Sequence, residues 1–231
     1  MLVAFGLGVL AQSSLLFAGL LACWIKVPTR LVGILAGLGA GAMISAVAFD
    51  LLPEAQEHIA QWQTVLWMLT GVAIFLLGDW LVDRHFGAAG VGGAMGIVVG
   101  SVVDGIPESI LFGIQIGTGA TISAGFLVAV LVSNIPQAIA PSADLAANGW
   151  DARRLGTLWL LVVLACGVAA ALGFLVTNVT SQAYGDRAAA LAAGGLLAML
   201  TNSLIPFAYE RGKDLVGVAT VVGFCLTMPN T

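Results

Sequence analysis

Long apolar stretches recur along the whole chain, and they constrain its fold more than any other feature. A membrane-spanning helix needs about 20 consecutive apolar residues. The 231-residue sequence is 60% hydrophobic and only 9% charged, whereas soluble domains are about one quarter charged. It therefore predicts an all-α, polytopic membrane protein, with one transmembrane domain over residues 1–231 and the lipid bilayer as its surroundings. Eight spans are expected, at approximately 2–25, 31–52, 62–82, 91–116, 120–143, 155–177, 188–208 and 214–229.

Positive charge alternates from one predicted loop to the next. Seven of the eight Lys and Arg residues fall at the loops that follow the odd-numbered spans, and only Arg187 falls elsewhere. Cytoplasmic loops carry the excess of Lys and Arg in membrane proteins. The pattern predicts a multi-pass protein of the cell (inner) membrane with both termini on the extracytoplasmic side. The seven residues are Lys26, Arg30, Arg84, Arg153, Arg154, Arg211 and Lys213.

Two similar motifs interrupt the fourth and fifth spans. DGIPES occupies residues 104–109, SNIPQA occupies residues 133–138, and each has Ile-Pro at its centre. A proline inside a helix lacks an N–H, so the carbonyl four residues earlier loses its helical partner. Because the two spans run in opposite directions and a short loop joins them, we expect both motifs to lie at one depth.

The fourth span places two carboxylates on one helix face. Asp104 and Glu108 are four residues apart and both lie inside an apolar run. A charged group at bilayer depth costs about 2.5–3.5 kcal/mol on insertion scales. No Lys or Arg falls inside the eight predicted spans, so either a proton or a bound cation should compensate this pair.

The chemistry of these side chains favours a hard divalent cation. Two carboxylates, amides and a hydroxyl supply oxygen ligands, which suit such cations better than a typical zinc site does. One softer atom lies nearby in the second span, although a lone membrane methionine is more often packed in a core. The candidate ligands are Asp104, Glu108, Ser133, Asn134, Gln137 and Met43.

A second group of acids lies where the second span ends. Asp50 and Glu54 are the candidate entrance residues, with Glu57 and His58 close behind them. Acidic groups at the mouth of a pathway raise the local cation concentration. A solvated loop face would have the same composition, so both interpretations stay open.

Related motifs also occur in the second and seventh spans. FDLLPEA (residues 49–55) and NSLIPFA (residues 202–208) share a Leu-[Leu/Ile]-Pro core and lie in spans of opposite direction. Paired motifs of opposite direction are typical of inverted-repeat transporters, which bind substrate where interrupted helices meet. Proline near the end of a membrane helix would also account for this pair alone.

Taken together, these motifs resemble the ZIP (zinc/iron-regulated transporter-like) family. The similarity extends over essentially the whole chain and includes GAGAMISAVAFDLLPEA (residues 39–55) and LTNSLIPFAYERG (residues 200–212). The resemblance implies eight helices in a 3+2+3 inverted-repeat arrangement. It also implies transport of divalent metal ions such as zinc, iron, manganese or cadmium into the cytoplasm, through a site between helices 4 and 5.

The resemblance assigns roles within the fourth span residue by residue. Asp104 stands where the family usually has its first histidine, and Glu108 matches the family glutamate. Gly105 replaces an asparagine that would bind a second metal ion. We therefore expect a single oxygen-rich site rather than two metal sites.

The assignment is less complete in the other spans. Ser133 and Asn134 stand at ligand positions, Gln137 replaces the usual glutamate or histidine, and Met43 matches a methionine that lines the site in some members. The sixth span has no acidic residue, so the ligand that some members have there is missing. The alternative prediction is a degenerate homologue that binds metal without transport or carries another cation.

Other function classes are disfavoured. The chain has no basic patch for nucleic acid. Its two histidines, His58 and His85, lie in predicted loops and give no base for an intramembrane protease, so we expect no enzyme activity. A homodimer remains open as a partner arrangement.

Overall fold

The described part of the chain forms eight helices. The computed structural model describes the backbone of residues 1–86, 91–119, 122, 124–177 and 183–228, and no strand occurs within these ranges. The prediction of an all-α membrane fold is thus confirmed at the level of secondary structure. The helices are α1 (Leu2–Leu21), α2 (Thr29–Ala55), α3 (Gln61–Phe86), α4 (Val91–Thr118), α5 (Ala124–Ala147), α6 (Ala152–Thr177), α7 (Ala183–Met199, Leu200–Leu204 and Ile205–Gly212) and α8 (Leu215–Thr227).

Most of the eight helices have the dimensions of membrane spans. Within the described part of the chain, α1, α2, α3, α5, α6 and α7 each contain a segment long and apolar enough to cross a bilayer. Helix α4 has 28 residues, but many of its N-terminal side chains lie outside the described part. Helix α8 has 13 residues, which is shorter than the span predicted at 214–229 and shorter than a bilayer requires.

The helices form two groups that pack against each other. Helices α1, α4, α5 and α6 contact one another, most extensively through the pairs α4–α6, α1–α6 and α1–α5. In the second group α2 packs against α8 and α7, and α3 packs against α7. The contact of α2 with α5 is the most extensive connection between the groups.

Glycine allows several of these helices to approach closely. A Cβ on Gly41 of α2 would collide with the backbone of α8 at Thr220, and a Cβ on Gly71 of α3 would collide with the backbone of α7 at Leu191. Small residues at such crossings let helix backbones pack tightly, which is how membrane helices associate without a hydrophobic driving force. The abundance of glycine therefore fits the fold.

Helix α1 is fixed against α5 and α6 by a buried tryptophan. Trp159 of α6 is fully buried, and its Nε1 donates to Ser142 Oγ of α5 over 2.7 Å. The Trp159 ring also fills the space beside Gly19 of α1, where a Cβ would collide with it. This contact holds the three helices in a defined relative position.

Helices α2 and α7 each contain one π-helical turn just before a proline. The turns are Val47–Leu51 and Leu200–Leu204, and Pro53 and Pro206 follow each of them two residues later. A proline ring clashes with the carbonyl four residues earlier, and a wider turn relieves that clash. Such π-helical turns are frequent at functional sites, and the sequence motifs gave no indication of them.

Aromatic side chains lie near the helix ends on the outer surface. Trp62 begins α3 as an exposed residue, and Trp80 is exposed one turn before Arg84, whose guanidinium lies 5.1 Å from its ring centre. Exposed Tyr209 similarly lies 5.8 Å from the Lys213 ammonium. Aromatic rings beside basic groups are typical of membrane–water interfaces.

Candidate functional site

The carboxylate of Glu108 is buried in the interior of the helix bundle. Only 1% of Glu108 is exposed, although its side chain lies in the middle of α4. Its Oε2 atom accepts a hydrogen bond of 2.9 Å from Nε2 of Gln12 on α1. The partner is a neutral amide, so this hydrogen bond does not neutralise a charged Glu108.

A second amide extends this contact to α5. Asn134 is buried, and its Nδ2 donates a hydrogen bond of 2.7 Å to Oε1 of Gln12. Gln12 is itself fully buried and uses both ends of its amide. Glu108, Gln12 and Asn134 form a continuous hydrogen-bonded chain across three helices, which we call the amide bridge.

Gly105 makes room for the amide bridge. A Cβ at this position would lie 3.2 Å from Oε1 of Gln12 and 3.1 Å from Sγ of Cys166. Both distances are shorter than ordinary carbon contacts. The glycine of DGIPES therefore lets the amide of Gln12 lie against α4.

The structure brings the DGIPES and SNIPQA motifs together through a residue that belongs to neither. Pro107 and Pro136 both lie inside continuous helices, as the spans predicted. Glu108 and Asn134 are connected by Gln12 rather than by a direct hydrogen bond. The expectation that the two motifs meet is consistent with this geometry.

The other predicted ligands occupy different surroundings. Ser133 is fully buried, and its Oγ donates to the carbonyl of Val130 on its own helix over 3.0 Å. Gln137 is half-buried on α5. Met43 is fully buried in a large apolar cluster to which helices of both groups contribute. Asp104 belongs to α4, but its side chain lies outside the described residues.

Carboxylates also gather near the π-helical turn of α2. Asp50 and Glu54, the predicted entrance residues, are both half-buried there. Glu54 accepts a hydrogen bond of 3.0 Å from Nε2 of Gln115 on α4 and lies within electrostatic range of Asp50 and Asp186. We call Asp50, Glu54 and Asp186, together with His58, the rim cluster.

His58 connects the turn after α2 to α7. Asp186 is only 4% exposed and accepts a hydrogen bond of 3.0 Å from the backbone N–H of His58. The His58 Nδ1 atom lies 3.2 Å from Oδ2 of the same carboxylate. This contact holds the loop that follows α2 against the start of α7, beside the other members of the rim cluster.

The rim cluster and the amide bridge lie at different depths along α4. Gln115 follows Glu108 by seven residues, which corresponds to about 10 Å along the helix axis. The rim cluster is partly open to solvent, whereas all three members of the amide bridge are buried. A cation reaching Glu108 from this end would pass the rim cluster first.

The ligand chemistry is rich in oxygen and poor in typical transition-metal donors. Among the residues whose side chains the structure describes, no group of three or more His, Cys, Asp and Glu lies close enough to hold a metal ion. The amide bridge offers one carboxylate and two amides. These side chains supply oxygen ligands, which hard cations prefer.

Sequence reasoning missed three contributors to these sites. Gln12 lies in the stretch AQSS (residues 11–14) inside the first apolar run. A glutamine in the middle of a membrane span is a sign of a functional or structural partner, and this sign could have identified it. Gln115 lies near the end of its span, and Asp186 lies at the start of α7. The sequence gives no indication of their partners, because those contacts join distant helices.

Comparison with known proteins adds no family assignment. No protein-family model matches the chain, and no curated protein matches it either. The functional interpretation therefore depends on the geometry of the described residues.

Proposed function

We propose that this protein is a ZIP-type transporter that moves divalent metal cations across the membrane into the cytoplasm. The candidate cargo is zinc, iron, manganese or a similar ion such as cadmium, bound as substrate near Glu108. The observation that carries the proposal is the burial of this carboxylate in mid-helix, where its hydrogen-bond partner is the neutral amide of Gln12.

The energetic argument is one of charge compensation. Burying an ionised carboxylate away from water costs roughly several kcal/mol, unless a positive charge pairs with it or a proton neutralises it. The His58–Asp186 and Arg211–Glu210 contacts do not include Glu108, whose hydrogen-bond donor is the neutral amide of Gln12. A passing cation would supply the missing positive charge, with Asp104 of the same helix face as a second candidate ligand.

Helix packing supports an inverted repeat. In an inverted repeat, helices 1–3 would correspond to helices 6–8, and helix 4 would correspond to helix 5. The α3–α7 contact then corresponds to the α8–α2 contact, and the α1–α5 contact corresponds to the α6–α4 contact. All four contacts are extensive. The π-helical turns of α2 and α7 occupy equivalent places before Pro53 and Pro206. These features favour the 3+2+3 arrangement of inverted-repeat transporters.

A transport route follows from the positions of the two sites. Cations would collect at the rim cluster, bind at Glu108 with Asn134 and the other predicted ligands, and leave through the opposite end. The positive-inside pattern assigns that opposite end to the cytoplasm. Movement of one helix group against the other would expose the site to each side in turn.

Uptake into proteoliposomes tests the proposal. The purified protein is reconstituted and challenged with Zn²⁺, Fe²⁺, Mn²⁺, Cd²⁺, Co²⁺ and Mg²⁺ in separate assays. We expect saturable uptake of at least one transition-metal ion, and its loss when Asp104 and Glu108 are both replaced with Ala. Glu210→Ala removes an exposed carboxylate and serves as the control. Unchanged uptake in the double variant would refute the proposal.

A second function is a protein that binds a cation without transport, or that carries protons or another cation. The amide bridge favours it, because Glu108 already has a neutral hydrogen-bond donor in Gln12, and no group of three or more His, Cys, Asp and Glu among the described side chains could hold a metal ion. Thermal stabilisation by a metal ion without flux would identify this alternative.

A further inference from the structure

We propose that Gln12 is a positioning residue whose amide reverses when a cation binds at Glu108, so that Gln12 sets the affinity of the site. This inference rests on the proposed cation transport. It assigns a function to a residue of α1, a helix that supplies none of the predicted ligands.

The hydrogen bonds of Gln12 have a defined direction. Its Nε2 donates to Oε2 of Glu108 over 2.9 Å, and its Oε1 accepts from Nδ2 of Asn134 over 2.7 Å. An ionised carboxylate can only accept, so this is the arrangement that suits a cation-free Glu108.

A cation at the same carboxylate oxygen conflicts with that arrangement. The N–H of Gln12 would point its positive end at the ion, at a distance where repulsion is strong. Rotation of the amide by about 180° removes the conflict, because an amide carries a donor at one end and an acceptor at the other. Oε1 then faces the cation as a possible ligand, and Nε2 faces Asn134.

Asn134 can follow this reversal because it is also an amide. Turning its own side chain presents Oδ1 to Nε2 of Gln12, so the hydrogen bond between the two residues is kept with opposite polarity. The amide bridge therefore has two complete arrangements, one without and one with a cation. Burial of all three residues excludes water as a substitute partner.

Two substitutions of Gln12 should change cation affinity in opposite directions. In Gln12→Glu the new carboxylate cannot donate to Glu108, so the cation-free arrangement is destabilised. With a cation bound, one oxygen of the new carboxylate faces the ion and the other accepts from Nδ2 of Asn134. We expect KM to fall about tenfold and maximal uptake to slow, because release of the ion becomes harder. In Gln12→Leu both arrangements are lost, and KM should rise roughly tenfold or more.

A substitution on the other side of the bridge gives an independent test. In Asn134→Asp the new carboxylate can only accept, which obliges Gln12 to turn Nε2 towards position 134 and Oε1 towards Glu108. KM should fall, by about tenfold, when Gln12 is present. In the double variant with Gln12→Leu this gain should shrink to about twofold, because contacting residues are energetically coupled.

The control is Ser14→Ala on the same helix. Ser14 Oγ is buried and makes no hydrogen bond within the described residues, so its loss should leave KM within about twofold of the wild type. All variants are compared as full-length protein in proteoliposomes, after gel filtration confirms a monodisperse, folded sample. Initial rates of Zn²⁺ and Mn²⁺ uptake are measured over a concentration series.

Opposite shifts in KM for Gln12→Glu and Gln12→Leu, together with the coupling to Asn134→Asp, are the expected result. If the wild type takes up either ion but both Gln12 variants lower maximal uptake at unchanged KM, Gln12 is only structural and the inference is wrong. If the wild type takes up neither ion, the proposed transport of these cations is refuted and the inference with it.

Discussion

Glu54 and Glu108 make similar hydrogen bonds in different surroundings. Each accepts from a glutamine Nε2, Gln115 at 3.0 Å and Gln12 at 2.9 Å. Glu54 is half-buried at the end of α2, whereas only 1% of Glu108 is exposed. Solvent can stabilise the charge of the first carboxylate but not that of the second. Burial, rather than the hydrogen bond, distinguishes Glu108 from Glu54, and it is the reason why we propose Glu108 as the cation-binding residue.

Replacing Glu108 and Glu54 in turn by glutamine should give the largest difference in uptake between the amide bridge and the rim cluster. We expect Glu108→Gln to lower cation uptake by about 100-fold or more, because it removes a buried charge that the ion would pair with. Glu54→Gln should lower uptake only about threefold, since water and neighbouring acids can substitute. Uptake rates in proteoliposomes measure both effects, and equal losses would show that the two regions do not differ as proposed.

Loss of the second amide should have an intermediate effect. In Asn134→Leu the Oε1 atom of buried Gln12 loses its donor, which costs about 1–3 kcal/mol. Uptake should fall roughly tenfold, and the protein should unfold at a lower temperature in a thermal shift assay. Ser14→Ala is the control, because Ser14 Oγ is buried, makes no hydrogen bond within the described residues and is not a predicted ligand. A larger loss from Ser14→Ala than from Asn134→Leu would contradict the amide bridge.

The rim cluster should act mainly through long-range attraction. Asp186→Asn keeps an acceptor for the His58 backbone and removes one negative charge. We expect KM to rise about threefold at low ionic strength and the difference to disappear near 0.5 M salt, because screening removes such attraction. An effect that persists at high salt would instead make Asp186 a direct ligand.

The smallest effect should come from His58. Its side chain is 45% exposed, and an ion pair of this exposure contributes less than about 1 kcal/mol. His58→Ala should therefore shift the unfolding temperature by only a few degrees, about 3 °C at most, and leave uptake nearly unchanged. Loss of uptake in this variant would indicate that the loop over the rim cluster takes part in transport.

The helices themselves could be predicted because hydropathy is a local property. The apolar runs located all eight helices, and six have the length and composition of spans. Their ends were predicted less well: α1 stops at Leu21 rather than 25, and α5 covers Ala124–Ala147 rather than 120–143. Helix α7 begins at Ala183 rather than 188, and α8 stops at Thr227 rather than 229. The π-helical turns were not predicted, because a proline signals a disturbed hydrogen bond without saying how the backbone relieves it.

The site could be predicted only in part, since its contacts join distant residues. Two carboxylates in an apolar span drew attention to Glu108, and the repeated Ile-Pro motif drew attention to Asn134. Gln12 is 96 residues away from Glu108 in sequence, and nothing in the AQSS stretch indicates which helix it faces. The packing of α1 between α4 and α5 decides that contact.

The central claim is that buried Glu108, and not the rim cluster, binds the cation. A crystal structure of the full chain with Cd²⁺, recorded with anomalous scattering, tests it most directly. We predict an anomalous peak within bonding distance of a carboxylate oxygen of Glu108, with Oε1 of Gln12 turned towards it. A peak at Glu54 or Asp186 with none at Glu108 would contradict the claim.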